Sequence, residues 1–210
     1  MKKIGIINCG FGNTASIINA IEYLNFDYKI LKSPENLDEL THLILPGVGS
    51  FNNAAKKLRE FGWPKAIKHF ISDSKPFLGI CLGMQLMFER SSENGNEEGL
   101  ALFQGDCEPF SKKTNIKTTH IGFSPVDRPN PKSKIWKDIP NNSPFYFIHS
   151  YRVLFESKAN LENYLISKTI YGDEFISFIE KDKIFGAQFH PEKSHYIGIS
   201  LIKNFIEEIK

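Results

Sequence analysis

The sequence lacks any apolar run approaching the ~20 residues that a membrane-spanning helix requires; its runs, such as Ile4 to Ile7 and Phe77 to Leu82, are far shorter. Met1-Lys2-Lys3 before Ile4-Gly5-Ile6-Ile7 has the outline of a secretion signal, but Asn8 ends the apolar stretch before a hydrophobic region develops. A cytoplasmic location with no membrane partner is therefore expected. Cysteine is scarce. Cys9, Cys81 and Cys107 are odd in number and widely spaced, which fits neither a disulfide framework nor a paired-thiolate zinc site. Nor does one sign of charge prevail: 26 Lys and Arg face 24 Asp and Glu, a formal +2, so no strong field favours phosphate backbones and no nucleic-acid partner is expected. Repeats and low-complexity tracts are absent. What is present is 41% hydrophobic and 13% aromatic residues in a chain of 210, enough to bury one core of single-domain size.

The first half alternates short β-branched runs with segments of helical period, the pattern of parallel strands joined by crossover helices. Strands are expected at Lys3 to Asn8, Tyr28 to Leu31, Leu43 to Leu45 and Phe77 to Ile80. Helices are expected at Thr14 to Leu24, with Asn13 as N-cap, and at Asn52 to Phe61, Lys65 to Ser72 and Leu82 to Arg90. Pro46-Gly47-Val48-Gly49 reads as a turn that ends a central strand. Ser91 to Gly99 is polar and reads as a mobile loop. In the second half, Asn115 to His120, Phe145 to Phe155, Tyr164 to Thr169, Phe175 to Glu180 and Lys183 to Gln188 read as strands of a mixed or antiparallel addition, and Ser200 to Ile209 as a closing amphipathic helix. Asp127 to Pro140, with Pro129 and Pro131, reads as an irregular connection.

Gly79-Ile80-Cys81-Leu82-Gly83, at the junction of a buried strand and a helix, has the G-x-nucleophile-x-G layout of a nucleophile elbow with sulfur in place of oxygen. A tight strand-to-helix turn strains the central residue, and glycines two positions away let neighbouring backbone approach without Cβ clashes. The helix start favours thiolate over thiol, and the Leu82 amide would face a developing oxyanion. A buried core cysteine is the competing reading. His190-Pro191-Glu192, after another apolar strand, offers a base and an acid that orients it. The turn at Val48-Gly49 can present a second N–H, or it is an ordinary Pro-Gly turn. Gly10-Phe11-Gly12-Asn13-Thr14-Ala15 matches a dinucleotide fingerprint in outline, but Leu31-Lys32-Ser33 stands where the acid should be. His120, His149, His190 and His195 lack the spacing of a zinc helix, so neither metal nor cofactor is expected.

Gly79-Ile80-Cys81-Leu82-Gly83-Met84-Gln85 together with Phe189-His190-Pro191-Glu192 resembles the class I, or triad, glutamine amidotransferases. Within that class, Pro46-Gly47-Val48-Gly49-Ser50-Phe51, Phe145-Tyr146-Phe147-Ile148-His149-Ser150-Tyr151 and His190-Pro191-Glu192-Lys193-Ser194 are similar to the glutaminase subunits of imidazole glycerol phosphate synthases, along essentially the whole chain. The resemblance implies one glutaminase domain over residues 1–210, with a flavodoxin-like, mainly parallel open sheet flanked by helices and a mixed addition. It implies a triad of Cys81 as nucleophile, His190 as proton shuttle and Glu192 as its orienter. Val48 and Leu82 would supply oxyanion amides, and Gly49, Gln85, Glu93, Ser150 and Tyr151 would hold glutamine. Asn13, Phe123, Tyr146 and Lys193 would lie at or near the interface with a barrel-shaped synthase subunit, the heterodimer partner that receives ammonia. Phe123 stands where that family typically has tryptophan. A paralogous glutaminase serving sugar amidotransfer, a stand-alone γ-glutamyl hydrolase and a catalytically silent binding module are the other readings open at this point.

Overall fold

Alternation of apolar β-branched runs with amphipathic helices builds a three-layer α/β fold, seen in a computed structural model that describes residues 2–10, 14–110, 117–154 and 162–209. The first half holds β1 (Lys3–Ile7), α1 (Ala15–Tyr23), β2 (Asp27–Leu31), β3 (His42–Gly47), α2 (Phe51–Glu60), α3 (Trp63–Ser72), β4 (Phe77–Cys81) and α4 (Leu82–Gln85). Short strands follow: β5 (Arg90–Ser91), β6 (Glu97–Glu98), β7 (Asp106–Pro109), β8 (His120–Val126), β9 (Ser143–His149) and β10 (Tyr151–Leu154). The chain closes with β11 (Leu165–Tyr171), β12 (Asp173–Lys181), β13 (Ile184–Ala187) and α5 (His195–Glu208).

The main sheet has seven strands in the order β11-β12-β13-β4-β3-β1-β2. Five of them, from β13 to β2, are parallel, and β11 and β12 add on antiparallel. The parallel part has the 2-1-3-4-5 order of flavodoxin-like sheets, whose ligands gather at the carboxyl ends of the strands. Buried on both faces, the central strands send alternate residues into two cores. Ile4, Ile6, Ile44, Leu78 and Ile80 meet Ile17 and Ile21 of α1 and Leu201, Ile202 and Phe205 of α5. Leu43, Leu45 and Phe77 meet Phe51, Leu58, Trp63, Ile67 and Phe70 of α2 and α3. A second sheet, β10-β7-β5-β6, and a separate hairpin, β8-β9, stand against this frame.

Several local expectations are corrected. Pro46 and Gly47 continue β3 and pair with Ile80 and Cys81. The proline is tolerated because pairing with β1 ends at Ile44, leaving β3 only one neighbour at that height. The helix after Cys81 stops at Gln85 instead of Arg90, because the carbonyls of Leu86, Met87 and Phe88 accept the amides of Leu100, Leu102 and Ala101 rather than those of a next turn. The segment Ser91 to Gly99 holds paired strand residues, Arg90↔Glu98 and Ser91↔Glu97. Phe145 to Phe155 divides at Ser150, β9 pairing with β8 and β10 with β7. The expected strand at Asn115 to His120 begins only at His120, with Asn115 itself outside the described residues. The closing helix starts five residues early, at His195. Asn13 lies outside the described residues, so neither its N-cap nor its interface expectation meets an observation; the residue before α1 is Thr14.

Candidate active site

Cys81 ends β4 with φ 53° and ψ −110°, a backbone conformation costing on the order of 1–3 kcal/mol for a residue with a side chain. The glycines beside it explain how the turn closes. A Cβ on Gly83 would overlap the Leu45 carbonyl oxygen of β3, and one on Gly79 would lie 2.7 Å from the Gly83 carbonyl oxygen and against Met87 Sδ. Strand and turn therefore fit together only with hydrogen at both positions. The short α4 contributes less dipole than the expected three-turn helix, so the environment of the sulfur depends on its individual neighbours.

Those neighbours enclose a cavity of about 390 Å³ lined by Val48, Gly49, Cys81, Leu82, Gln85, Glu93, Thr119, Ile148, His149, Ser150 and Tyr151. Eight of these eleven were singled out as catalytic, oxyanion or glutamine-binding candidates from the sequence. Gly49 takes φ 111°, a conformation glycine adopts freely. Glu93 Oε2 accepts the Phe51 amide at 2.7 Å, at the first residue of α2. Gln85 Nε2 donates to the Tyr151 carbonyl at 2.9 Å and to Gln188 Oε1 at 3.0 Å. Thr119 and Ser150 hydroxyls bond at 2.8 Å on the wall formed by β8 to β10.

His190 follows β13, the parallel neighbour of β4, and its amide donates to the Tyr146 carbonyl at 2.8 Å. Its Nδ1 bonds Glu192 Oε1 at 2.7 Å, the two side chains being only 3% and 6% exposed. Nε2 is buried without a hydrogen-bond partner. Burial works to lower the imidazole pKa. The Cys81 sulfur first and Glu192 second outweigh it and push the value up to about 10. The influence of that sulfur ties together two groups 109 positions apart in sequence (190 − 81). Burial pushes Cys9 up to about 11 and Cys107 well above its ordinary range, so both stay protonated thiols.

Of the residues expected at an interface, Phe123 and Lys193 are exposed and Tyr146 is half-buried. Phe123 stacks on His195 with centroids 5.2 Å apart and meets the edge of Tyr146 at 5.5 Å. The outer face of the β8-β9 hairpin carries Ile121, Phe123 and Ile148, 61%, 48% and 40% exposed. Ile148 also lines the cavity, so its mouth opens beside this apolar face. Sequence reasoning missed Gln188, fully buried, whose Nε2 lies 3.8 Å from Cys81 Sγ; its place two residues before His190 was the available signal. The sequence reading weighed His120 and His149 as metal ligands and rejected them without assigning them another role; they bond to each other at 3.2 Å in an aromatic wall. Ligand atoms of Asp38, before β3, His69, in the last turn of α3, and Asp73, just after it, come within 4.8 Å of one another, all three exposed, at the opposite end of the parallel strands from Cys81.

A profile described as "Glutamine amidotransferase class-I" matches residues 5–209. The chain belongs to that family. It is 41% identical to "Imidazole glycerol phosphate synthase subunit HisH 2" of Methanococcus maripaludis, over 98% of this chain and 99% of that one. It is also 41% identical to "Imidazole glycerol phosphate synthase subunit HisH" of Caldanaerobacter subterraneus subsp. tengcongensis, over 99% and 98%. Among solved structures, PurLQS from Thermotoga maritima superposes with a TM-score of 0.79 at 16% identity, covering 100% of this chain and 99% of that chain. The glutaminase domain of Trypanosoma brucei CTPS superposes at 0.68 with 15% identity, covering 98% and 94%. At such identities these two speak for the shared fold of the class I amidotransferases. No helix among the described residues is long and apolar enough to cross a membrane.

Proposed function

We propose that the chain is the glutamine-hydrolysing subunit of an imidazole glycerol phosphate synthase, working in the cytoplasm and passing ammonia to a (β/α)8-barrel synthase subunit in a heterodimer. The observation that carries this is the strained Cys81 at the floor of a cavity, coupled to a buried His190–Glu192 pair. Near-full-length identity to subunits of that enzyme names the branch.

In this reading Cys81 Sγ attacks the side-chain amide carbon of glutamine, forming a C–S bond and an oxyanion received by the Val48 and Leu82 amides. His190, held by Glu192, gives its proton to the leaving nitrogen as the C–N bond breaks, so ammonia departs and a glutamyl thioester remains. Water, deprotonated by His190, then releases glutamate and restores the thiol. Gly49, Gln85, Glu93, Ser150 and Tyr151 hold glutamine along the cavity. The apolar face of the β8-β9 hairpin beside the cavity mouth, with Phe123, Tyr146 and Lys193 near it, meets the partner.

The test is glutamate release by the reconstituted heterodimer. Cys81→Ala is expected to keep the fold and the partner but lose glutamine hydrolysis to background; retained turnover would overturn the nucleophile assignment. The isolated wild-type chain is expected to release glutamate far more slowly than the complex.

A further inference from the structure

Outside the triad, Gln188, His149 and His120 are buried polar side chains near the cavity that the mechanism above does not use. Their hydrogen bonds form one continuous path. At one end is Ser124, next to the exposed Phe123 in β8, with its hydroxyl 2.8 Å from His120 Nε2. His120 Nδ1 lies 3.2 Å from His149 Nε2, and His149 Nδ1 lies 2.8 Å from the Tyr151 carbonyl oxygen. That oxygen also accepts from Gln85 Nε2, which donates in turn to Gln188 Oε1, and Gln188 Nε2 reaches Cys81 Sγ at 3.8 Å.

The direction of every bond follows from the Tyr151 carbonyl, which can only accept. His149 must carry its proton on Nδ1. Burial pushes its pKa down to about 3, so it is neutral and Nε2 is an acceptor. His120 must then donate from Nδ1; burial pushes it down to about 4, so its Nε2 accepts from the Ser124 hydroxyl. The His120 ring is clamped between Phe147 and Tyr171, with centroids at 4.6 and 4.2 Å, which prevents the ring from turning to another partner. At the other end, the two N–H bonds of the Gln85 amide serve Tyr151 and Gln188. The Gln188 amide is thereby fixed with oxygen toward Gln85 and nitrogen toward sulfur; the reverse pose would set two donors against each other.

We propose that Gln188 is a further catalytic-site residue, a fixed hydrogen-bond donor to the Cys81 sulfur, and that His120 and His149 are positioning residues in the chain that holds it from Ser124. The inference rests on Cys81 being the nucleophile proposed above. The sulfur also lies 3.9 Å from the Ile148 carbonyl, which suits a thiol as donor and repels a thiolate. Gln188 supplies the opposite preference: its donor satisfies sulfur that carries charge, where a hydrogen bond is strongest.

The experiment compares wild type, Cys81→Ala, Gln188→Met and Ser124→Ala in the heterodimer. It reads glutamate-release kinetics and, separately, the rate of iodoacetamide labelling of Cys81 at pH 7, assigned by peptide mass. Gln188→Met keeps length and volume but has no donor. It is expected to lower kcat about tenfold with KM changed less than twofold, and to slow labelling by a similar factor while the melting temperature holds. Ser124→Ala, which removes one hydroxyl at the outer end, is expected to slow labelling about twofold, and it carries the test if Gln188→Met does not fold. Labelling and kcat at wild-type values in the folded variants would overturn the proposal. Turnover retained by Cys81→Ala would instead overturn the functional reading, leaving the labelling result to judge the hydrogen bond by itself.

Discussion

The elbow around Cys81 and the wall opposite it, built by β9 and β10, face one cavity but are held by different physics. The elbow is close-packed backbone, where Gly83 leaves no room for a Cβ against Leu45 and Gly79 none against Gly83 and Met87. The wall is a polar network, in which Ser150, His149 and Tyr151 are fixed by hydrogen bonds to Thr119, His120 and Gln85. The first can only be right or broken. The second is held by separate hydrogen bonds, and it stands next to the exposed apolar face of the hairpin.

Substitutions that separate steric from polar support break this comparison most directly. Gly83→Ala should have the largest effect, because its new methyl meets a main-chain carbonyl that cannot turn away. Urea unfolding should show a loss at or above the ~3 kcal/mol usually reached by overpacking, and stability within 1 kcal/mol of wild type would mean the elbow is looser than described. Glu192→Gln keeps volume and leaves the elbow intact but removes the charge beside His190 Nδ1. By analogy with other triads, kcat should fall on the order of 10² to 10⁴ with KM little changed, which steady-state glutamate release measures.

The smallest effect concerns pH and sharpens the contrast further. Burial holds His120 at about 4 and His149 at about 3, below the ordinary 6.5, and does the same to His42, at about 4, under α5. As pH falls below 6.5 the unfolded chain binds protons that the folded chain refuses, so stability present above 6.5 is lost toward pH 4, each histidine contributing up to about 1.4 kcal/mol per pH unit. His190, with its pKa raised to about 10, has the opposite sign: its contribution is complete below 6.5 and is lost as pH rises through 10. Acid should therefore loosen the wall before the elbow. Hydrogen exchange corrected for its intrinsic rate should rise in β8 and β9 between pH 7 and pH 5 while β4, which carries no histidine, stays protected; equal rises in both would refute the division.

The parallel frame was legible because each strand and helix of it carries its own period: Lys3 to Asn8 overruns β1 by one residue, Tyr28 to Leu31, Leu43 to Leu45 and Phe77 to Ile80 fall within the observed strands, and α1, α2 and α3 lie within two residues of expectation. The α4 helix was overestimated because nothing in Leu86-Met87-Phe88 discloses that residues 99–103 will take their carbonyls. The break at Ser150 was invisible for the same reason, since β9 and β10 find different partners, β8 and β7, that local alternation does not name. Gln188 was passed over because a single glutamine after a strand has no periodicity or spacing to mark it.

The order of residues alone determined the bend at Cys81, since glycines two positions to either side act through contacts a few bonds away, and it determined the pairing of His190 with Glu192 across one proline. Only the tertiary structure decided that β13 lies beside β4, so that His190 comes to the sulfur from the far end of the chain, and that the imidazoles of β8 and β9 bond each other. Forces within a turn are set by neighbours in sequence; burial, and with it the charge state of these histidines, depends on what the rest of the chain places around them.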